Sequence, residues 1–258
     1  MTQRGRGRPP KFPPEEVRAR LLAEARQVLH ECGVESGLDA ITLDGAIAAA
    51  DVPRGSAYKL WQSEGQTPQD AFREAVVVDV LRMPATSGLP ATKDMIAEEI
   101  EKYRDVFENG TRAELDHVRR ELIRTVGAFN YEKLDASRDW RIYDALRTAA
   151  RTRDDGGDED PILRAVREGE EFLIDQYSEF YSGLAPLFRM RIRDPYTVHE
   201  FAAALFALTN GLAHRQSHNF RKRGILRATG PNGAMQDWTL LSIAFEALIP
   251  QFFEPVDD

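Results

Sequence analysis

Residues 54–59 carry side chains that could bind DNA, within a segment short enough to be a single helix. Arg54 can donate two parallel hydrogen bonds to guanine, and Ser56 and Lys59 could reach base edges or phosphates. Tyr58 lies on the same segment. Arginine, lysine and hydroxyl groups on one exposed helix are typical of a helix that enters the major groove.

Residues 1–13 form a basic arm that we expect to be flexible. Its cations are Arg4, Arg6, Arg8 and Lys11, and it contains no acid. Its Arg-Gly-Arg-Pro sequence resembles the core of an AT-hook, whose arginines lie in a narrow A·T-rich minor groove. A basic tail that only raises nonspecific affinity explains the composition equally well. Both interpretations predict attraction to phosphates and a steep dependence on salt.

Charge is distributed unevenly along the chain. The full chain of 258 residues has a formal net charge of −8. Residues 1–62 contain nine Lys and Arg and eight Asp and Glu, so they carry +1 and the remainder carries −9. Basic charge at one end of an otherwise acidic protein is typical of a DNA-binding module on an acidic body.

The pattern around the basic segment predicts two short helices joined by a tight turn. Thr42 can cap an alanine-rich helix that ends near Ala50. Asp51 lies in the turn, because Asp tolerates a left-handed backbone better than most residues, and Val52 is predicted to be buried. The second helix covers about residues 53–60. This arrangement is a helix-turn-helix unit, whose second helix enters the major groove.

These residues resemble the DNA-binding domain of the tetracycline-repressor (TetR) family of bacterial transcription regulators. The resemblance covers about residues 14–75, including an amphipathic first helix and the Gly33 that ends it. The positions that match the family pattern without a gap are Thr42, Ala50, Val52, Pro53, Gly55, Ser56, Tyr58 and Trp61. The resemblance implies that Thr42 and Tyr58 contact phosphates and that Gly55 permits close approach of the backbone.

Five features depart from the family pattern, two of which are the inversion of the Ile-Ala pair as Ala46-Ile47 and the absence of the lysine that usually opens the fourth helix. Asp51 stands at the usual turn glycine, and Asp44 stands where a basic residue is common. The carboxylate of Asp44 would repel a phosphate. Trp61 replaces the common Phe or Tyr, and we expect it to lie in the core.

The remainder of the chain is predicted to be helical, with strand patterns nearly absent, so the fold class is all-α. Capping residues followed by proline predict helix starts at Thr67-Pro68, Asp160-Pro161 and Asp194-Pro195. Thr111 and Glu114 form a capping box. The predicted helices lie near residues 14–32, 67–82, 92–108, 111–128, 136–152, 161–183, 195–219 and 236–249. Connectors are predicted at residues 154–160 and 224–233.

We expect a helix-turn-helix domain over residues 14–82 and a larger helical domain for ligand binding and dimerisation over residues 83–258. The family resemblance implies that the last two helices form a four-helix bundle with those of a second copy. The stripes that could form this interface are Phe201, Leu205, Leu208 and Leu212, and Leu241, Phe245 and Leu248. An intramolecular core explains the same spacing, and both can hold because each helix has two sides.

Aromatic residues of the larger domain are candidates for a ligand pocket, because the resemblance implies an effector pocket in its core. The residues predicted to line it are Trp140, Tyr143, Phe172 and Tyr177. The competing interpretation is that aromatic side chains at helical spacing simply form the core.

Several functions lack support in the sequence. There is no Gly-x-Gly-x-x-Gly, P-loop or Gly-x-Ser-x-Gly motif, so we do not expect an enzyme, and no cofactor or metal site is predicted. No apolar run is long enough to span a membrane. The single cysteine, Cys32, fits a cytoplasmic protein and is expected to be buried on the first helix.

The sequence therefore predicts a repressor that binds a palindromic operator in double-stranded DNA as a homodimer and is released by a small-molecule effector. Two alternatives remain open. One is a low-specificity architectural protein that binds A·T-rich DNA. The other is a helical small-molecule-binding protein whose helix-turn-helix is vestigial.

Overall fold

The structure, a computed structural model, describes residues 12–34, 37–62, 64–82, 88–152, 160–214 and 224–256. Most of these residues are helical, which confirms the predicted all-α fold. The helices are α1 (Pro14–Cys32), α2 (Leu43–Ala50), α3 (Arg54–Leu60), α4 (Pro68–Arg82), α5 (Gly88–Lys102), α6 (Arg104–Asn109), α7 (Arg112–Ala136), α8 (Arg138–Ala150), α9 (Pro161–Leu184), α10 (Val198–His214) and α11 (Leu240–Phe252). None of the described helices is long and apolar enough to cross a bilayer.

Four short strands accompany the helices as two antiparallel pairs. The pairs are β1 (Met190–Ile192) with β4 (Phe253–Pro255), and β2 (Ile225–Ala228) with β3 (Met235–Trp238). The sequence predicts a connector over residues 224–233, whereas the structure has a hairpin there. The hairpin turns through Asn232 and Gly233, with φ of 55° and 77°. Asn and Gly tolerate positive φ, so this pair was the available sequence signal for a turn.

The predicted helix starts are confirmed at four places. The side-chain oxygens of Thr42, Thr67 and Asp160 each accept a hydrogen bond from a first-turn N–H, at 3.1, 3.1 and 2.7 Å. At the start of α7, Glu114 N–H donates to Thr111 Oγ1 at 3.4 Å and Thr111 N–H donates to Glu114 Oε2 at 2.7 Å. These bonds satisfy donors that have no partner within the helix.

The predicted start of α10 at Asp194-Pro195 is wrong, because the helix begins at Val198. Thr197 and Glu200 cap it instead. Thr197 N–H donates to Glu200 Oε2 at 2.7 Å, and Glu200 N–H donates to Thr197 Oγ1 at 3.1 Å. This reciprocal pair satisfies two helix-end donors at once, which fixes the start of the helix at the capping box.

Contacts divide the chain into two compact units. The first consists of Met1–Pro84 and Arg138–Gly169, and the second of Ala85–Ser137 and Glu170–Asp258. The sequence places a boundary after residue 82 and assigns everything beyond it to the larger domain. In the structure, α8 and the beginning of α9 belong instead to the first unit.

The first unit is built around one face of α1. The buried side chains of this face are Val17, Leu21, Leu22, Ala25 and Leu29. Helices α2, α3, α4 and α8 pack against α1. Two polar contacts connect α1 to α8: Arg138 donates to the Glu31 carbonyl at 2.7 Å, and His30 Nδ1 lies 2.6 Å from Asp139 Oδ1. Cys32 is exposed, not buried as expected, because the covered face of α1 ends at Leu29.

The core of the second unit lies where α7 meets α5, α10 and α11. The buried residues of this core include Val118, Leu122, Val126, Phe201, Trp238 and Phe253. Gly127 of α7 faces α11 so closely that an added Cβ would collide with the Ser242 hydroxyl. Ser242 Oγ donates to the Arg124 carbonyl at 3.3 Å across the same contact. Glycine at this position therefore sets how closely α7 and α11 approach.

Candidate nucleic-acid interface

The predicted tight turn between α2 and α3 is confirmed. Asp51 adopts the left-handed conformation, with φ of 50° and ψ of 45°, and its N–H donates to the Ile47 carbonyl. Val52 is buried, as predicted. Pro53 is extended, with φ of −64° and ψ of 124°, and α3 begins at the next residue. Only three residues, Asp51 to Pro53, therefore separate α2 from α3.

Helix α3 has a packed side and an exposed side. On the packed side, Ala57 is fully buried. Trp61, just after the helix, is buried and lies edge-on to Phe72 with ring centroids 5.4 Å apart, which confirms it as a core residue. Of the predicted DNA-contacting residues of this helix, the exposed ones are Arg54, Gly55 and Lys59, and the half-buried ones are Ser56 and Tyr58.

The start of α2 is held from α4 by side chains that sequence reasoning missed. Gln69 Oε1 accepts from the Leu43 N–H, and Gln69 Nε2 donates to the Ile41 carbonyl, both at 2.8 Å. Arg73 Nε donates to the same carbonyl at 3.2 Å. Thr42, the predicted phosphate contact, lies between the two residues held in this way. No local pattern reveals Gln69, because its partners lie 26 and 28 residues away in sequence.

Asp44 binds two of the predicted DNA-contacting side chains. Its Oδ2 accepts from Arg54 Nη2, and its Oδ1 accepts from the Tyr58 hydroxyl, both at 2.9 Å. Arg54 Nη2 also donates to the Tyr58 oxygen at 3.3 Å. The hydrogen bond to Tyr58, followed by the attraction of Asp44, raises the pKa of Arg54 above its ordinary value. We call these three residues the Asp44 cluster.

Another anion could replace the Asp44 carboxylate as the hydrogen-bond acceptor for Arg54 and Tyr58. Carboxylate and phosphate oxygens accept from the same guanidinium and hydroxyl donors. Because the Arg54 and Asp44 side chains are 68% and 55% exposed, water and salt screen their attraction and the pair contributes little to stability. A DNA phosphate could therefore displace Asp44 from Arg54 and Tyr58, although the carboxylate would repel it.

Gly55 and Lys59 are exposed and are not required by packing or ion pairing within the described part of the chain. A Cβ at Gly55 would meet no atom within 4 Å, so no packing requires glycine there. Glycine is otherwise unfavourable in a helix, by about 1 kcal/mol relative to alanine. Lys59 is exposed and forms no ion pair with any residue in the described part of the chain. Both features fit a contact made with something outside the protein.

The arm residues Arg4, Arg6, Arg8 and Lys11 lie outside the described residues, so their role stays a prediction. Their charge nevertheless matters for the described face. At the α2–α3 face, the cations Arg54 and Lys59 are balanced by the anions Asp44 and Asp51. Long-range attraction to DNA would therefore have to come mainly from the arm.

The four predicted ligand-pocket residues fall into two groups. Trp140 and Tyr143 lie together on α8 in the first unit, both buried, with ring centroids 5.4 Å apart. Phe172 and Tyr177 lie on α9 in the second unit. Phe172 is 45% exposed, and Tyr177 stacks on Tyr181 at 6.3 Å, where desolvation raises the pKa of Tyr177. A pocket formed by all four residues stays a prediction.

The predicted dimer stripes face the core of the second unit in large part. The stripe residues that are buried within the single chain are Phe201, Leu205 and Leu241. Those that are half-buried and pack against the core are Leu208, Phe245 and Leu248. Leu212 is also half-buried. The intramolecular interpretation thus accounts for the spacing of these residues, and the dimer interface stays a prediction.

One histidine in the described part of the chain lies beside two carboxylates. His199 Nε2 is 3.1 Å from Glu171 Oε1 and 3.7 Å from Asp175 Oδ1. The three ligand atoms lie within 4.8 Å of one another, which is close enough to share a metal ion. All three side chains are at least 42% exposed. The hydrogen bond between His199 and Glu171 explains the arrangement without a metal.

Comparison with known proteins does not assign the chain to a family. No family model matches the sequence, and no curated protein matches it. One solved structure, described as a protein with unknown function from Rhodococcus sp. RHA1, aligns with this chain at 16% sequence identity and a TM-score of 0.38. The alignment covers 78% of this chain and 82% of the Rhodococcus chain. A likeness of this degree indicates neither fold family nor function.

Proposed function

We propose that this protein is a DNA-binding transcription regulator of the TetR type, in which α3 is the recognition helix. The observation that carries the proposal is the exposed side of α3. It presents Arg54, Lys59 and an unobstructed Gly55 directly after a tight left-handed turn. Arg54 supplies the planar donors that suit guanine, and Lys59 supplies a charge for phosphate.

The proposal includes a homodimer acting on a palindromic operator. One seven-residue helix contacts only a few base pairs, so a single copy would bind weakly. Two copies related by a two-fold axis would read two half-sites about one helical turn apart. Repression, release by a small-molecule effector and a cytoplasmic location complete the proposal and rest on the resemblance to the TetR family.

The opposing candidate is a helical small-molecule-binding protein that has lost DNA binding, and the Asp44 cluster is the observation that favours it. Asp44 occupies donors of Arg54 and Tyr58 that a DNA-binding helix would need for DNA, and such a substitution would be tolerated in a helix that no longer binds DNA. The two functions differ in what α3 does when duplex DNA is offered. A regulator binds a defined sequence through α3, whereas the opposing candidate does not.

The experiment that separates these functions starts from duplex DNA of random sequence. The full-length protein selects bound duplexes at moderate salt, and the selected pool is sequenced. A regulator enriches one palindromic sequence. An architectural protein enriches A·T-rich DNA without a palindrome, and either that result or the absence of enrichment contradicts the proposal.

A further inference from the structure

A cleft in the second unit has a strongly cationic lining. It occupies about 530 Å³ and lies between α7, α11 and the β1–β4 pair. Its lining includes Arg112, Arg119, Arg120, Arg193 and Arg227 but only two carboxylates. Such an excess of positive charge is unexpected because the whole chain is acidic, with a net charge of −8. Pockets for small ligands commonly occupy about 300–1,000 Å³.

The two carboxylates of the cleft are already engaged. Glu246 Oε1 lies 3.3 Å from Arg120 Nε, and Glu246 Oε2 accepts a hydrogen bond from Arg227 Nη1. Asp116 Oδ1 lies 2.9 Å from Arg119 Nη1 and 3.6 Å from Arg112 Nε. Two carboxylates thus pair with four arginines, so the lining of the cleft keeps an excess of positive charge.

Arg119 is the most buried of these cations, and one of its donors is unsatisfied. Its side chain is 18% exposed, and its Nε is buried with no hydrogen-bond partner in the described part of the chain. Its Nη1 also donates to the sulfur of Met190 at 3.2 Å, and a thioether is a weak acceptor. Burial lowers the pKa of Arg119, although a guanidinium remains charged. An anion in the cleft would offset the cost of burying this charge.

The cleft also has an apolar side. Met190, Ile249 and Phe253 line it and are buried in the core of the second unit. Ile243 and Pro250 of α11 add further apolar surface. A small inorganic anion would leave this surface exposed to water, whereas an organic anion with an apolar body would cover it.

We propose that this cleft binds an amphipathic organic anion, with a carboxylate held beside Arg119 and Arg193 and an apolar body against Met190, Ile249 and Phe253. Arg193 suits this role because its charge is only weakly paired. Its Nη1 lies 3.8 Å from Glu254, and the Glu254 carboxylate already pairs with Arg191 at 2.8 Å. The cleft contains none of the four aromatic residues predicted to line a pocket. The proposal that this cleft binds an organic anion does not depend on the proposed DNA-binding function; only its role as the effector site rests on that function.

Calorimetry of the full-length protein with decanoate tests the binding. Decanoate serves as the probe anion, decanol as its neutral match and inorganic phosphate as an anion without an apolar body. We expect saturable binding of one decanoate per chain and weaker binding of both comparison probes. Arg119→Met should weaken decanoate binding at least about tenfold, the usual effect of losing a charge-assisted hydrogen bond.

Two further variants keep this test decisive. Arg193→Gln should also weaken binding. Because the Arg193 side chain is 45% exposed, this variant should fold even if Arg119→Met does not. Arg104→Met removes an exposed arginine of the same unit that lies outside the cleft, and it should bind decanoate like the original protein. No decanoate binding, equal binding of decanol or phosphate, or unchanged binding in Arg193→Gln would overturn the proposal.

The role as effector site is tested separately, on the protein bound to its selected duplex. Decanoate should release the duplex from the original protein and from Arg104→Met but not from Arg193→Gln. Binding by calorimetry without release would support the cleft and overturn its role as the effector site. If no duplex is selected, the proposed function fails while calorimetry still decides whether the cleft binds an organic anion.

Discussion

At the scale of single residues, the Asp44 carboxylate engages two of the side chains that we propose contact DNA phosphates. It occupies the guanidinium of Arg54 and the hydroxyl of Tyr58, each at 2.9 Å. It also carries the charge that repels DNA. If α3 binds DNA as proposed, Asp44 would lower its affinity, at little cost to the fold because the Arg54–Asp44 pair is exposed.

Replacing Asp44 with Asn should raise the affinity for duplex DNA. The amide keeps the shape of the side chain but removes its charge, so Arg54 becomes available to phosphate. The plot of log affinity against log salt should become steeper by about 0.9 for each additional phosphate that the variant neutralises. Electrophoretic or fluorescence titrations over a salt series measure both effects.

Asp94→Asn is the matched control for this change. Asp94 is an exposed residue of α5 in the second unit, and its loss alters net charge by the same amount. It should leave the salt slope unchanged. If Asp44→Asn instead weakened DNA binding, Asp44 would be positioning Arg54 for contact, and competition between its carboxylate and phosphate would be the wrong explanation.

At the scale of elements, helix capping links stability to pH at the start of α7. Hydrogen bonds from the Thr111 N–H and hydroxyl lower the pKa of Glu114 below its ordinary value of 4.5. A carboxylate with a lowered pKa stabilises the folded state above its ordinary pKa, and this stabilisation disappears as the pH falls through the folded value. The capping box thus acts at neutral pH and is lost in acid.

Glu114→Gln should therefore lower the melting temperature at pH 7, and the difference from the original protein should shrink as the pH is lowered below about 4. Thermal unfolding followed by circular dichroism between pH 3 and pH 7 measures this. Glu98→Gln, an exposed change in the middle of α5, should show little difference at any pH. A pH-independent effect of Glu114→Gln would show that the carboxylate charge has no part in the cap.

The sequence predicted those elements whose causes lie within a few residues. The caps at Thr42, Thr67 and Thr111, the left-handed Asp51 and the buried Trp61 each follow from local chemistry. The start of α10 was predicted wrongly although its signal is local, because two capping patterns lie three residues apart and only the second one caps the helix.

Features formed by residues far apart in sequence could not be predicted from hydrophobic periodicity. Glu246 pairs with Arg120, more than a hundred positions away in sequence, and with Arg227, about twenty positions away. The spacing of these residues therefore does not predict the cationic cleft. Gln69 is an ordinary helix residue until the structure places it against α2. The membership of α8 in the first unit likewise depends on packing against α1 and α4.

At the scale of the whole molecule, charge distribution is the main constraint on the proposed DNA binding. The chain is acidic, and the described α2–α3 face is close to neutral. Attraction to phosphates would then depend on Arg4, Arg6, Arg8 and Lys11, because residues 1–13 carry no acid.

Deleting residues 1–11 should weaken DNA binding and reduce the salt slope by about 0.9 for every arm cation that contacts a phosphate. A full-length variant with Arg4, Arg6 and Arg8 all changed to Lys keeps the charge. If the arm lies in the minor groove, this variant loses preference for A·T-rich flanks, because arginine favours narrow grooves. If it retains that preference, the arm acts only as a basic tail; an unchanged salt slope after deletion would exclude any role.

The central claim, that α3 binds a specific DNA sequence, is tested most directly by the affinity of Arg54→Ala/Lys59→Ala for the selected duplex. We expect a loss of about tenfold to a hundredfold for each half-site, since one good base contact discriminates by that much. Lys102→Ala/Arg104→Ala removes one lysine and one arginine that are similarly exposed in the second unit, and it should bind like the original protein. Equal affinity of the α3 double variant and the original protein would contradict the account.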